Sequence, residues 1–129
     1  MSIDYIVAER FNPAKPSEQR KFYAQQKSRD EVNLRGFKKI ISGRSTTVSA
    51  IDIQAVIEMF LQTIPELLAD GRIVRLGDFG SFYITIKSSG SDTKDGFNSG
   101  LIKEVSVKFR PGKEMKKALK NVSFNRIKE

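Results

Sequence analysis

The chain has 129 residues, with 23 Lys or Arg against 15 Asp or Glu and a formal charge of +8, which suits one domain with a polyanionic partner, either nucleic acid or an anionic membrane surface. It contains no cysteine and no histidine, which excludes disulfides, thiolate chemistry and the commonest general base and metal ligand. No apolar run reaches membrane-spanning length, and Met1-Ser2-Ile3-Asp4-Tyr5 lacks the basic-then-apolar order of a signal peptide, so a cytoplasmic protein is expected.

Residues 1–47 hold ten basic and five acidic side chains, residues 48–71 none and four, residues 72–104 five and four, and residues 105–129 eight and two. Two basic ends around an acidic middle predict a polarised molecule with one face suited to phosphates.

Ile3, Tyr5 and Val7 alternate with Asp4, Ile6 and Ala8, the period of a strand. Asn12-Pro13-Ala14-Lys15-Pro16 breaks it, because proline has no N–H for a ladder and restrains the residue before it. Residues 20–26, with Phe22 and Tyr23, return as a second strand and complete a hairpin; a short helix from Ser17 is the alternative. Asn33 suits the N-cap of a helix over 34–42, where Leu34, Phe37, Ile40 and Ile41 form one apolar stripe. Gly36 weakens that helix, and Gly43 is placed to end it before a polar link, Arg44-Ser45-Thr46-Thr47.

The strongest helical pattern covers 48–70. Ser49, with Asp52 three residues on, resembles a capping box. Ile53, Val56, Ile57, Phe60, Leu61, Ile64, Leu67 and Leu68 then share one face, more than an exposed helix needs, so the element belongs to the core. Pro65 removes one backbone hydrogen bond and predicts a kink, and Asp70-Gly71 supplies the stop. Ile73, Val74 and Leu76 open a sheet strand, Gly77-Asp78 makes a turn, and Phe79 to Lys87 form the next strand. The Gly- and Ser-rich residues 88–100, with Asp92, Lys94 and Asp95, predict a mobile loop or arm. Val105, Val107 and Phe109 alternate as a third strand, and Pro111, at a first helical position, opens a basic final helix.

Val74-Arg75-Leu76-Gly77-Asp78-Phe79-Gly80-Ser81-Phe82 and, further on, Phe109-Arg110-Pro111-Gly112-Lys113-Glu114-Met115-Lys116-Lys117-Ala118-Leu119-Lys120 together resemble the signature of the bacterial HU and integration host factor family of DNA-bending dimers. The similarity spans residues 32–120 and looks closest to a branch with an N-terminal extension. It implies an α+β, HU-like intertwined dimer: two N-terminal helices, a three-stranded antiparallel sheet with an extended arm, a short C-terminal helix and an added N-terminal β-hairpin. The implied organisation is a β extension at 1–31 packed on an HU-like DNA-binding domain at 32–129, with the arm at 88–104. Phe79, Phe82 and Phe109, with Phe60 on the long helix, are the implied dimer core; aromatics alternating along strands read as core on the residues alone.

The resemblance places a DNA surface on the concave side of the sheet, the arms and the helix N-termini. The candidate contacts are Ser81 at the turn, Lys87, Lys94 and Lys103 along the arm, Lys108 and Arg110 on the third strand, Gly112 and Lys113 at the helix start, and Lys116, Lys117 and Lys120 beyond it. Free N–H groups and the dipole at that start attract an anion, and Lys116 and Lys120, one helical turn apart, reach neighbouring phosphates. A solvated basic face is the plainer reading of a lysine-rich helix. HU-family arms are rich in Arg and Lys and end in an Arg-Asn-Pro tip whose proline wedges between base pairs. Here residues 88–104 set Lys94 and Lys103 against Asp92, Asp95 and Glu104 and contain no proline. Phe97 is the one large apolar side chain near the tip, and such a residue is more often an anchor onto its own domain than a wedge.

The expected function is that of a histone-like architectural protein of the nucleoid, binding double-stranded DNA as a homodimer through phosphates with low sequence specificity, since no element has the make-up of a major-groove recognition helix. The alternative is an HU-scaffold structural or interaction dimer with weak or lost DNA binding, motivated by the arm's charge and the added hairpin. RNA binding through Phe82 and Tyr83 falls short of the paired exposed aromatics that RNA-binding sheets use. An enzyme is not expected: there is no Walker-type loop, no carboxylate cluster with metal spacing and no nucleophile beside a base, and Asp78 near Ser81 is a turn residue first. No cofactor, metal, membrane or small-molecule substrate is expected.

Overall fold

The computed structural model describes every residue except Asn12, Pro16, Glu18, Ser45, Thr46 and Glu129. The chain is α+β, in the order β1 (Ser2–Arg10), β2 (Lys21–Gln26), α1 (Leu34–Arg44), α2 (Ala50–Ala69), β3 (Val74–Arg75), β4 (Gly80–Ser88), β5 (Ile102–Pro111), α3 (Lys113–Ala118) and β6 (Ser123–Arg126), with one 3-10 turn at Ser99–Leu101. It divides into two compact units, residues 1–37 with 119–129, and residues 38–118.

In the first unit β1 is the central strand of a sheet ordered β2-β1-β6. It pairs antiparallel with β2, from Tyr5 opposite Gln26 to Arg10 opposite Lys21, so the predicted hairpin is present and the described residues from Ser17 to Arg20 form no helix. Asn12 and Pro16 of the predicted break lie outside the described residues. β6 lies parallel to β1, from Ser2 opposite Ser123 to Tyr5 opposite Arg126; sequence reading assigned no strand there. Four residues are too few to carry a period, and a parallel partner so distant leaves no turn signal. A polar junction ties these strands together. Arg29 Nε donates to Asp4 Oδ2 at 2.8 Å and Arg29 Nη2 to the Ser2 carbonyl at 3.1 Å, while Asn125 Nδ2 donates to Asp4 Oδ1 at 3.2 Å. The hydrogen bond from Arg29, then that from Asn125, hold the Asp4 carboxyl below its ordinary range.

Asn33 caps α1 as predicted, its Oδ1 accepting from the Gly36 N–H at 2.9 Å. The helix runs on through Gly43 to Arg44, because one glycine inside a helix costs only about 1 kcal/mol. Ser45 and Thr46 of the predicted link lie outside the described residues. In the second unit Ser49 caps α2, its Oγ accepting from the Asp52 N–H at 3.2 Å. That helix closes with paired bonds, Arg72 N–H to the Leu67 carbonyl at 3.1 Å and Gly71 N–H to the Leu68 carbonyl at 3.0 Å. Gly71 sits at φ 78, as this type of C-terminus requires.

The sheet of the second unit has the order β3-β4-β5 and is antiparallel throughout. Phe82 opposite Phe109, Ile84 opposite Val107 and Ile86 opposite Val105 make one face apolar. The Phe109 ring lies 4.8 Å from Phe82 and 5.7 Å from Phe79, centre to centre. Two expectations are corrected. Pro111 is the last residue of β5, opposite Gly80, and α3 begins at Lys113; a strand end tolerates the missing N–H as well as a helix start does. Of the loop or arm expected at 88–104, residues 89–101 are folded into turns and the rest extends β4 and β5. Ser89 N–H donates to the Leu101 carbonyl at 2.8 Å, Gly96 N–H to Thr93 Oγ1 at 3.0 Å and Gly100 N–H to Asn98 Oδ1 at 2.9 Å. Short polar side chains satisfy the local backbone there.

Little of the apolar surface is covered. Among the described residues only Ile53 and Leu68 are buried hydrophobic residues, while Phe60 on the same helix is 47% and Phe37 on α1 50% exposed.

Two stability predictions arise. Ser49→Ala removes the α2 cap and should lower stability by about 1 kcal/mol in urea unfolding. For Asp4 the folded acidity is shifted down, so its contribution is whole above the ordinary carboxylate value and is lost as pH falls through the lower folded value. Asp4→Asn should melt earlier than the parent at neutral pH and converge with it in acid, as pH falls through the lowered folded value; a gap that persists in acid would refute the role given to this junction.

Candidate nucleic-acid interface

The register that turns Phe82, Ile84 and Val107 to one side turns their neighbours to the other. Ser81 stands opposite Arg110, Tyr83 opposite Lys108, Thr85 opposite Ser106 and Lys87 opposite Glu104. Arg75 on β3 stands opposite Ser81, so Arg75, Ser81 and Arg110 form one row across all three strands. This face carries four cations, Arg75, Lys87, Lys108 and Arg110, against the single carboxylate Glu104. None of the four joins an ion pair among the described residues. The guanidinium carbon of Arg110 lies 5.5 Å from the centre of the Tyr83 ring, which orients the group and leaves its N–H edges for another acceptor.

The start of α3 corrects the expected anion site. Gly112 N–H donates to the Phe79 carbonyl at 2.9 Å and Glu114 N–H to the Asp78 carbonyl at 2.9 Å, so neither is available to a phosphate. The close approach depends on glycine: a Cβ at Gly112 would lie 2.3 Å from the Asp78 carbonyl oxygen. Gly112 therefore locks the helix start onto the Gly77–Gly80 turn, and Lys113 follows that corner. Lys116 and Lys117 occupy the last turn of α3, where the helix dipole also favours cations. The helix ends at Ala118, so Lys116 and Lys120 are not one helical turn apart as expected. Lys94 lies in the turn-built loop, and Lys103 is the extra β5 residue at the register shift beside Lys87 and Ser88.

The structure thus gathers Ser81, Lys87, Lys108 and Arg110 on one face and leaves Lys94, Lys103, Lys116 and Lys117 off it, while Lys120 belongs to the first compact unit. Phe79, Phe82 and Phe109 cluster as expected. Phe60 projects from α2, whose C-terminal half forms an apolar groove with the sheet, lined by Ile64, Pro65, Leu68, Phe82, Ile84 and Val107. The sequence expectations place neither Arg75 nor Tyr83 on the DNA surface and weigh Tyr83 only for RNA. The signal for both was alternation: Val74 points inward, so Arg75 points outward, and Tyr83 lies two residues from Ser81. Among the described residues no helix is long and apolar enough to cross a membrane.

Residues 1–126 match the family model described as "HU domain fused to wHTH, Ig, or Glycine-rich motif". The chain is 33% identical over 75 residues to integration host factor subunit alpha of Actinobacillus succinogenes, covering 57% of this chain and 76% of that one. It is 31% identical over 78 residues to integration host factor subunit beta of Teredinibacter turnerae, covering 59% and 80%. A crystal structure from Bacteroides vulgatus, provisionally described as a bacterial DNA-binding protein, superposes with a TM-score of 0.72 at 10% identity over 98% of this chain. The chain spans about half of that solved one, 48%, and at this identity the likeness speaks for the fold. With nearly its whole length under the family model, the chain belongs to the HU and integration host factor family of histone-like HU domains.

Proposed function

We propose that this protein is a histone-like architectural DNA-binding protein that acts as a homodimer and holds duplex DNA by its phosphates with low sequence specificity. The observation that carries the reading is the two-sidedness of the β3-β4-β5 sheet: unpaired cations on one face and apolar side chains, backed by a half-open groove, on the other. The apolar face suits a second copy, with Phe60, Phe79, Phe82 and Phe109 in the shared core. The polar face then presents Arg75, Ser81, Lys87, Lys108 and Arg110 twice, with Lys113, Lys116 and Lys117 beside it. Lys94, Lys103 and Lys120 serve as outlying phosphate contacts, and Gly112 acts through the corner it permits. DNA as the partner also draws on the relatives, two of them integration host factor subunits. In this reading the domain is HU-like from residue 32 onward, with residues 1–31 as a β extension.

The mode of binding has a consequence for DNA shape. A wedge needs an apolar tip on a projecting arm, whereas residues 89–101 are closed by their own hydrogen bonds and lack proline. Bending therefore comes from wrapping onto a basic surface rather than from insertion. The same observation favours, as the second reading, an HU-scaffold interaction dimer with weak DNA affinity.

Four sheet cations per copy in a dimer give a slope of log affinity against log salt of about −7, and Arg110→Ala, removed twice, makes it shallower by about two. Fluorescence anisotropy on a mixed-sequence duplex across salt concentrations measures both; a slope near zero would sink the phosphate model, and no binding would leave the interaction dimer. Sedimentation should give twice 14.6 kDa, with a melting temperature that rises with protein concentration. A monomer with a concentration-independent melt would overturn the dimer.

A further inference from the structure

Three cations gather at one end of the β1–β2 hairpin, and two aromatic rings sit among them. Arg10 and Lys21 are direct cross-strand partners, so their side chains share a face, an arrangement of like charges that weakens a sheet. The guanidinium carbon of the adjacent Arg20 lies 5.8 Å from the centre of the Phe11 ring. None of the three cations joins an ion pair among the described residues. Tyr23, two residues beyond Lys21, lies on the same face, and Arg10, Phe11, Tyr23 and Gln25 line one shallow depression. Phe11 is 49% and Tyr23 51% exposed. Stability alone would set carboxylates opposite such cations and cover the rings.

We propose that this hairpin face is a second binding site, for single-stranded nucleic acid, with Arg10, Arg20 and Lys21 on phosphates and Phe11 and Tyr23 stacked on unpaired bases. Aromatic side chains beside a cationic track form the usual platform for single strands, because stacking requires a base face that a duplex keeps covered. Arg20 covers one side of Phe11, and its planar guanidinium is itself a surface on which a base stacks. The Gln25 amide lies in the same depression and offers both a donor and an acceptor to a base edge. The site goes beyond the duplex surface of the β3-β4-β5 sheet and does not rest on it.

The test is anisotropy of the full chain with labelled oligo-dT, oligo-U and a mixed-sequence duplex. Tyr23→Leu should weaken single-strand binding about tenfold while Tyr23→Phe leaves it near the parent value. The double variant R10A/K21A should weaken it too, and should make the salt slope shallower by about 1.4, the two lost phosphate contacts at about 0.7 each. Arg110→Ala should affect the duplex and spare both single strands. A preference for oligo-dT or for oligo-U assigns the ligand to DNA or RNA, and either supports the site. No single-strand binding by the parent chain, equal effects of Tyr23→Leu and Tyr23→Phe, or an equal loss of duplex binding in the hairpin variants overturns it. If Tyr23→Leu unfolds the sheet, R10A/K21A still decides, because it removes a like-charge pair rather than a packing contact.

Discussion

The register between β4 and β5 is the constraint on which the second unit depends. Side chains alternate along a strand, so a slip of β5 by one residue would send Val107 and Phe109 to the basic face and Lys108 and Arg110 into the apolar one. The register is held at one end by steric fit. A Cβ at Gly80 would meet the Phe109 ring at 2.6 Å and the Arg110 carbonyl oxygen at 2.7 Å, and Gly112 is as closely confined by the Asp78 backbone. Only with glycine at both positions do Phe109 and the start of α3 close over the turn. At the other end the register shift beside Lys87 and Ser88 takes up one extra residue, Lys103, just after the loop. The two glycines of the signature therefore govern which face carries charge, although neither offers a group to a ligand.

The same register leaves an apolar surface larger than the chain covers. α2 supplies much of it: its apolar residues span one wide face, yet only Ile53 and Leu68 are buried. A helix of this kind gains its stability from packing rather than from propensity, so the fold and the partner surface have one physical origin. The proposed dimer is, in this sense, the second half of the core.

Much of this was legible in the residues because the signals were local. Ser49 and Asn33 announced their helices through a hydroxyl and an amide poised over open N–H groups, and Val105, Val107 and Phe109 announced β5 through alternation. What escaped was set by contacts distant in sequence. β6 pairs with a strand at the opposite end of the chain, and its partner cannot be inferred from Ser123–Arg126 alone. The fate of the Gly112 and Glu114 amides was equally hidden, since their acceptors belong to the turn before β4 rather than to α3. Pro111 fitted a helix start and a strand end equally well, and pairing with Gly80 decided the matter. At the interface, Arg110 was legible from the family signature, whereas Arg75 could be read only from its alternation with Val74 in a two-residue strand.

Charge placement links these features. Residues 48–71 carry four carboxylates and no cation, and Lys38 is held to Glu58 of α2 by an ion pair. Two copies that meet through α2 would therefore bring apolar and weakly acidic surface together and keep their cations apart, which limits the like-charge repulsion between chains of +8 each. Among the described residues the cations of the sheet make no ion pair, so in the proposed complex they are free to displace the counterions condensed on a phosphate backbone. In the proposed dimer an acidic, apolar helix and a basic, polar sheet face are two parts of one solution: the first would let two cationic chains associate, and the association would double the number of cations offered to one polyanion.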